Sequence, residues 1–212
     1  MSHHVNQDLF ELNPNLTDLS WQPQNKYEYS FIERALKLSY EITRPLVNLW
    51  CNVTGGNTTA ALTNLSINLL SYARGYNTAN SRLLWKQAVL ETGGFNSIMS
   101  NSDNNQFGMH LPTTRPTTTA SYRYNNTEDS HVAIYDSVFD SVLDRMLWDD
   151  YNGIDSKDGN YVEEVIEHGY NENPDTYDDL WQSAEMPTPP YIIFIWLLVV
   201  IFILVFIKKL IF

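Results

Sequence analysis

The sequence has very little cysteine and few basic residues. Cys51 is the only cysteine among 212 residues, so no disulfide can form within the chain and no zinc site can be built from several cysteines. Lysine and arginine total 13 against 25 aspartates and glutamates, which gives a formal net charge of -12 at pH 7. Binding a phosphate backbone requires a concentrated basic face. The composition therefore argues against a nucleic-acid partner.

Other signatures are also missing. Residues 1–8 have neither a basic segment nor an apolar core, so no signal peptide is predicted. The carboxylates of loop 149–160 do not follow the spacing of an EF-hand calcium loop. We therefore assign no metal and expect no cofactor.

One long apolar run lies near the C-terminus. Tyr191 to Ile207 carries no charge, follows a proline-rich stretch at 184–190, and precedes Lys208 and Lys209. Such a run predicts a transmembrane helix that contacts a lipid bilayer, although a buried core helix is the alternative. The following lysines place the domain on the non-cytoplasmic side. A bacterial inner membrane or the internal membrane of a phage virion would fit, the latter with other virion proteins as partners.

This organisation predicts one domain with appendages. The expected parts are an extended N-terminal arm at 1–26, the domain at 27–183, a linker at 184–190, the transmembrane helix at 191–207 and a short tail at 208–212.

Within the domain, apolar residues recur at helical spacing. They predict helices at 27–43, 58–74, 81–91, 136–148, 161–168 and 177–183. Pro45 should break or kink the first helix, with residues 46–53 as a continuation. The threonine- and tyrosine-rich stretch 109–135 favours a small β-hairpin.

Glu91 is the strongest candidate for chemistry. It ends a helix with an apolar face, and Gly93 and Gly94 should stop that helix. A carboxyl between an apolar helix and a glycine turn is partly desolvated, which raises its pKa and keeps a proton available near neutral pH. A general acid that cleaves a glycosidic bond requires this. A solvated glutamate at a helix end is the plain alternative.

Four stretches in order strengthen the catalytic interpretation. Together they resemble the glucosaminidase-type peptidoglycan hydrolases of glycoside hydrolase family 73, which includes the flagellar muralytic domain. The stretches are Gln87–Gly93 (QAVLETG), Asn105–Met109 (NQFGM), Ile134–Ser137 (IYDS) and Gly169–Pro174 (GYNENP).

The resemblance implies a mainly α, lysozyme-like α+β fold with a small β-lobe. It also implies cleavage of the β-1,4 bond between N-acetylglucosamine and N-acetylmuramic acid in peptidoglycan glycan strands. Glu91 matches the family's catalytic acid, and Tyr170 matches a cleft tyrosine that hydrogen-bonds the sugar. The substrate-binding residues expected beside them are Asn105, Phe107, Gly108 and Tyr135.

An inverting mechanism needs a second carboxylate that activates water. Glu128 and Asp129 are candidates by elimination, since they are the carboxylates of the expected β-lobe. A substrate-assisted route through the N-acetyl group needs no second carboxylate, so the mechanism stays open.

Two other functions compete with the hydrolase. The Glu91 stretch also resembles that of lytic transglycosylases, which use one glutamate and release an anhydro-sugar. A membrane-anchored structural protein that keeps the fold and binds glycan without cleaving it is the third possibility.

Overall fold

Helices form most of the domain. A computed structural model of the chain describes residues 25–125 and 130–170. Within these ranges the chain forms six helices and two strands: α1 Phe31–Thr54, α2 Thr58–Arg74, α3 Thr78–Glu91, α4 Ile98–Ser102, β1 Ser121–Asn125, β2 Ser130–Ile134, α5 Val138–Asn152 and α6 Tyr161–Glu167.

The core forms around α2 and α5. Helix α2 packs against α1, α3 and α5. Helix α5 begins after the predicted N-cap Ser137, whose hydroxyl accepts a hydrogen bond from the Asp140 N–H. The helix is buried along most of its length. Its side chains Phe139, Val142 and Met146 are fully buried. Burial of each such side chain stabilises the fold by about 1.5–3 kcal/mol.

Helix α5 also carries charged side chains into the interior. Asp140, Asp144, Arg145 and Asp149 are each at most 1% exposed. Because a buried charge is costly unless it is paired, each has a partner. Lys37 of α1 pairs with Asp140, and Arg145 pairs with Asp149 one turn further along α5. The Lys37–Asp140 pair joins α5 to α1, whereas the Arg145–Asp149 pair lies within α5.

Helix α1 differs from its prediction in two ways. A break at Pro45 is excluded, since one helix runs from Phe31 to Thr54 with Pro45 inside it, exposed on its outer side, and the predicted continuation over residues 46–53 is confirmed. Of the apolar residues that predicted this helix, Phe31 (80% exposed), Leu38 (63%) and Ile42 (46%) face outward, whereas Leu36 packs against the core. The face of α1 that packs on the core contains Tyr40, Thr43, Val47 and Cys51 instead.

The predicted β-hairpin is confirmed. Strands β1 and β2 pair antiparallel, with Ser121 opposite Ile134 and Asn125 opposite Ser130. The segment 109–111 continues the sheet on the other edge of β2, because the Leu111 N–H donates to the His131 carbonyl and the Ala133 N–H donates to the Met109 carbonyl. The sheet therefore holds residues 109–111 in place.

The predicted fold class is corrected. The structure is a mostly helical domain with a two-stranded sheet, and none of the helices described is long and apolar enough to cross a bilayer. Helix α1 is long enough at 24 residues, but it carries Glu33, Arg34, Lys37, Glu41 and Arg44. The segment Tyr191 to Ile207, the helix at 177–183, the linker and the tail lie outside the described residues, as does the arm up to residue 24.

Candidate active site

Glu91 is the last residue of α3, as predicted. The turn that follows is held by Thr92, whose hydroxyl donates to the Ala88 carbonyl (2.6 Å) and accepts from the Phe95 N–H (2.8 Å). Phe95 is buried against Trp85, with ring centroids 5.1 Å apart. This packing fixes the end of α3 and leaves Glu91 half-buried on the wall of a cleft.

The opposing loop is fixed from inside by Asn105. Its amide nitrogen donates to the carbonyls of Met109 (2.8 Å) and Ala133 (3.0 Å), and its carbonyl oxygen accepts from the Met109 N–H (3.0 Å). Asn105 was predicted to bind substrate, but it is 1% exposed and does not line the cleft. Its hydrogen-bonding groups are used to shape loop 105–109.

This shape brings Gly108 against Glu91. Gly108 has a φ of +61°, in the left-handed region that favours glycine. A methyl group on residue 108 would stand 3.2 Å from Oε2 of Glu91, which is tighter than an ordinary carbon–oxygen contact. Glycine therefore both permits the turn and makes room for the carboxyl group.

Tyr170 closes the site from the other side. Its hydroxyl donates to the carbonyl oxygen of Phe107, and its ring meets Trp148 edge to face at 5.2 Å. Phe107, Gly108, Tyr170 and Glu91 all line the same cleft. Four of the predicted site residues are thus brought together.

Behind this wall, Arg145 positions the two aromatic rings. Its guanidinium carbon lies 4.8 Å from the Trp148 ring centroid and 4.7 Å from that of Tyr170, within cation–π range. The same guanidinium donates to Asp149 and to Oε1 of Gln87 (3.0 Å). Arg145 is fully buried, so these partners hold it in one orientation.

Asp149 also accepts hydrogen bonds from the hydroxyls of Tyr76 and Tyr161, each at 2.7 Å. Burial raises the pKa of both tyrosines well above the usual value, and the charge of Asp149 raises it further. Both hydroxyls therefore remain protonated donors in the physiological range. The network is a rigid support for Trp148 and Tyr170.

Tyr135 lies in a second buried network. Its hydroxyl donates a hydrogen bond to Asp144 (2.8 Å). The Asp144 carboxylate also accepts hydrogen bonds from both terminal nitrogens of Arg115 (3.0 and 2.6 Å) and from the Thr117 hydroxyl (2.6 Å). Tyr135 was predicted to bind substrate, but it is 2% exposed and does not line the cleft. Its contribution is to hold Asp144, which in turn holds Arg115 at the cleft edge.

The cleft has a volume of about 820 Å³, within the usual range for ligand sites. Much of the cleft lining was not predicted from the sequence, including His110, Thr114, Trp148, Tyr151 and Asn152. The last three could have been found from helical spacing, because they lie at i, i+3 and i+4. The predicted helix stopped at Trp148, whereas α5 continues to Asn152.

Glu128 and Asp129, the candidates for a second carboxylate, lie outside the described residues. Among the residues described on the cleft wall, Glu91 is the only carboxylate. No group of three or more histidine, cysteine, aspartate or glutamate side chains in residues 25–125 and 130–170 is arranged to hold a metal ion.

No family model matches this sequence, and no curated protein matches it. Among solved structures, a type VI secretion system effector–immunity complex from Pseudomonas protegens is similar to this chain at 16% identity. The similarity covers 60% of this chain and 89% of that chain, with a TM-score of 0.44. A TM-score this low establishes neither a shared fold nor a shared activity.

Proposed function

We propose that this protein is a glycoside hydrolase that cleaves the β-1,4 bond between N-acetylglucosamine and N-acetylmuramic acid in peptidoglycan, with Glu91 as the general acid. The main support is the position of Glu91, half-buried at a helix end and facing an open cleft. A carboxyl group in this position can reach a bound glycosidic oxygen and protonate it as the bond breaks.

The immediate surroundings of Glu91 suit this role. Met99, Phe107 and Met109 add apolar surface to the same cleft. Gly108 leaves space beside Oε2. Tyr170 is held by the Phe107 carbonyl and the Trp148 ring, so its ring has a fixed place in the cleft that Glu91 lines.

The order of motifs supports the choice of substrate. Glu91, Gly108 and Tyr170 come from three separate stretches that resemble the family 73 glucosaminidases, and all three line one cleft. The resemblance is the reason for choosing peptidoglycan over another glycan.

Two routes can supply the second catalytic group. Glu128 or Asp129 would act as the base in an inverting reaction, and the N-acetyl group of the substrate would act in an assisted one. An alanine substitution of the true base would slow the reaction on the order of a hundredfold or more. The assisted route predicts full activity when both carboxylates are removed together.

A lytic transglycosylase is the second candidate function. It is favoured by one specific observation, that Glu91 is the only carboxylate among the cleft-lining residues described. A transglycosylase needs only one such group, because an oxygen of the sugar itself replaces water as the nucleophile.

Glu91→Gln tests the role of the acid. The amide keeps the size of the side chain but cannot deliver a proton, so release of soluble fragments from purified peptidoglycan should fall by on the order of a hundredfold or more. Glu163→Gln, at an exposed position on α6, is the matched control and should keep full activity. Wild-type rates in Glu91→Gln would show that the acid is elsewhere.

A further inference from the structure

The cleft extends beyond the residues around Glu91. From Tyr170 its wall continues through Trp148 to Tyr151 and Asn152, on the last turn of α5. Residues 148 and 151 lie on the same helical face, about 4.5 Å apart along the axis at about 1.5 Å per residue. Thr114 lies across from them, with its hydroxyl 3.4 Å from the Tyr151 hydroxyl.

Tyr151 is unusual among the aromatic residues of α5. Phe139 is fully buried and Trp148 is partly buried against Tyr170, whereas Tyr151 is 57% exposed. Its ring contributes an open aromatic surface inside a concave site. Such surfaces bind the apolar faces of ligands, and the phenol adds a polar edge.

Polar groups flank this ring. Asn152 donates its amide nitrogen to the Trp148 carbonyl (2.8 Å), which leaves its side-chain oxygen as an acceptor. The Thr114 hydroxyl is exposed and, beside its contact with the Tyr151 hydroxyl, has capacity for a further hydrogen bond. Hydroxyl and amide groups around an aromatic ring match a sugar, which has an apolar face and a rim of hydroxyl groups.

The loop that carries Thr114 is held at two points. The Thr114 carbonyl accepts from the side chain of Asn25 (2.6 Å), and the next residue, Arg115, is paired with the buried Asp144. A surface held in this way binds a ligand with little loss of conformational freedom.

The charge of this region favours a neutral ligand. Arg115 already has Asp144 as its counter-ion, and the described residues on the Thr114 side of the cleft include no carboxylate. A neutral pyranose ring fits such a surface better than an anionic or cationic group.

We propose that Tyr151, Thr114 and Asn152 form a glycan subsite, in which the Tyr151 ring stacks on a neutral sugar of the chain that extends beyond the bond cleaved at Glu91. The inference rests on the proposed function for the identity of the ligand as a glycan. The subsite increases affinity for long chains and does not act on the reacting atoms.

Binding to the full-length Glu91→Gln protein tests the subsite without turnover. The probes are the dimer and the tetramer of β-1,4-linked N-acetylglucosamine, titrated by calorimetry. Adding Tyr151→Ala should weaken binding of the tetramer about tenfold and leave the dimer nearly unchanged. Tyr151→Phe keeps the ring and should retain most of the tetramer affinity.

Tyr72→Ala, at a position 88% exposed and outside the cleft, is the control and should change neither affinity. Equal tetramer affinity with and without Tyr151→Ala would overturn the subsite, as would failure of the Glu91→Gln protein to bind the tetramer. Turnover of peptidoglycan by the wild-type protein is measured separately, so loss of the subsite and loss of the proposed hydrolase activity give different results.

Discussion

Gly108 lies directly against the carboxyl group of Glu91, so that a methyl group on residue 108 would stand 3.2 Å from Oε2. The two residues come from different elements, the end of α3 and the loop shaped by Asn105. Loop 105–109 therefore limits the space around the Glu91 carboxyl group.

Gly108→Ala should reduce activity more than stability. The left-handed backbone costs about 1–2 kcal/mol for a residue with a side chain, and the new methyl group displaces the carboxyl from its position. We expect peptidoglycan cleavage to slow at least tenfold. Gly55→Ala is the matched control, because Gly55 also has a positive φ (+73°) but a methyl group on it would have no atom within 4 Å. Equal rates in the two variants, after correction for the folded fraction, would contradict this role.

Tyr170→Phe removes the hydrogen bond to the Phe107 carbonyl while keeping the ring against Trp148. The loss should lower the free energy of unfolding by about 1 kcal/mol and loosen loop 105–109, so turnover should fall as well. Urea unfolding and a cleavage assay measure the two effects. Tyr72→Phe, on the exposed surface, serves as the control. A stability loss with unchanged turnover would limit the Tyr170 hydroxyl to a structural role.

Asp149→Asn should be among the most destabilising single changes in the domain. It leaves the buried guanidinium of Arg145 without its counter-ion, and breaking such a pair costs about 3–5 kcal/mol. The exposed pair Glu41–Arg44 provides the comparison: Glu41→Gln should cost less than about 1 kcal/mol. Similar unfolding midpoints in urea for the two variants would mean that the buried network contributes little.

Glu33 should contribute to acid unfolding. Burial alone would raise the pKa of Glu33, but hydrogen bonds from Ser30 and Tyr27 and the charge of Arg74 outweigh it, and the pKa is lowered. A lowered pKa in the folded state adds stability that is fully present above the unfolded value of about 4.5. That stability is lost as the pH falls through the folded value.

Glu33→Gln should therefore lose stability at pH 7 and much less at pH 3, so that its unfolding free energy varies less with pH than that of the wild type. Thermal unfolding across this range measures the difference. A parallel shift at all pH values would assign the effect of Glu33 to packing alone.

Features of the fold that depend on neighbouring residues were predicted correctly from the sequence. The end of α3 at Glu91 and the Ser137 cap of α5 depend on residues within a few positions, and both are found as predicted. The hairpin also follows from local strand preference.

The burial of individual side chains was not predicted where it depends on contacts with residues distant in the sequence. Asn105 and Tyr135 are polar residues in predicted cleft motifs, but their partners Ala133 and Asp144 bury them. The apolar spacing of α1 correctly indicated a helix, yet Leu38 and Ile42 face outward, and the face that packs on the core contains Glu33 and Thr43. Hydrophobic periodicity identifies the helix and not the face that packs.

The most direct test of Glu91 as a hydrolytic acid is digestion of purified peptidoglycan by the full-length protein in ¹⁸O-labelled water, followed by mass analysis of the new chain ends. A glucosaminidase adds water to the broken bond, so we expect reducing-end N-acetylglucosamine that carries one ¹⁸O, and none of this product with Glu91→Gln. Unlabelled 1,6-anhydro-N-acetylmuramic acid ends would identify a transglycosylase instead. An intact wall after exposure to the wild-type protein would contradict an enzymatic role altogether.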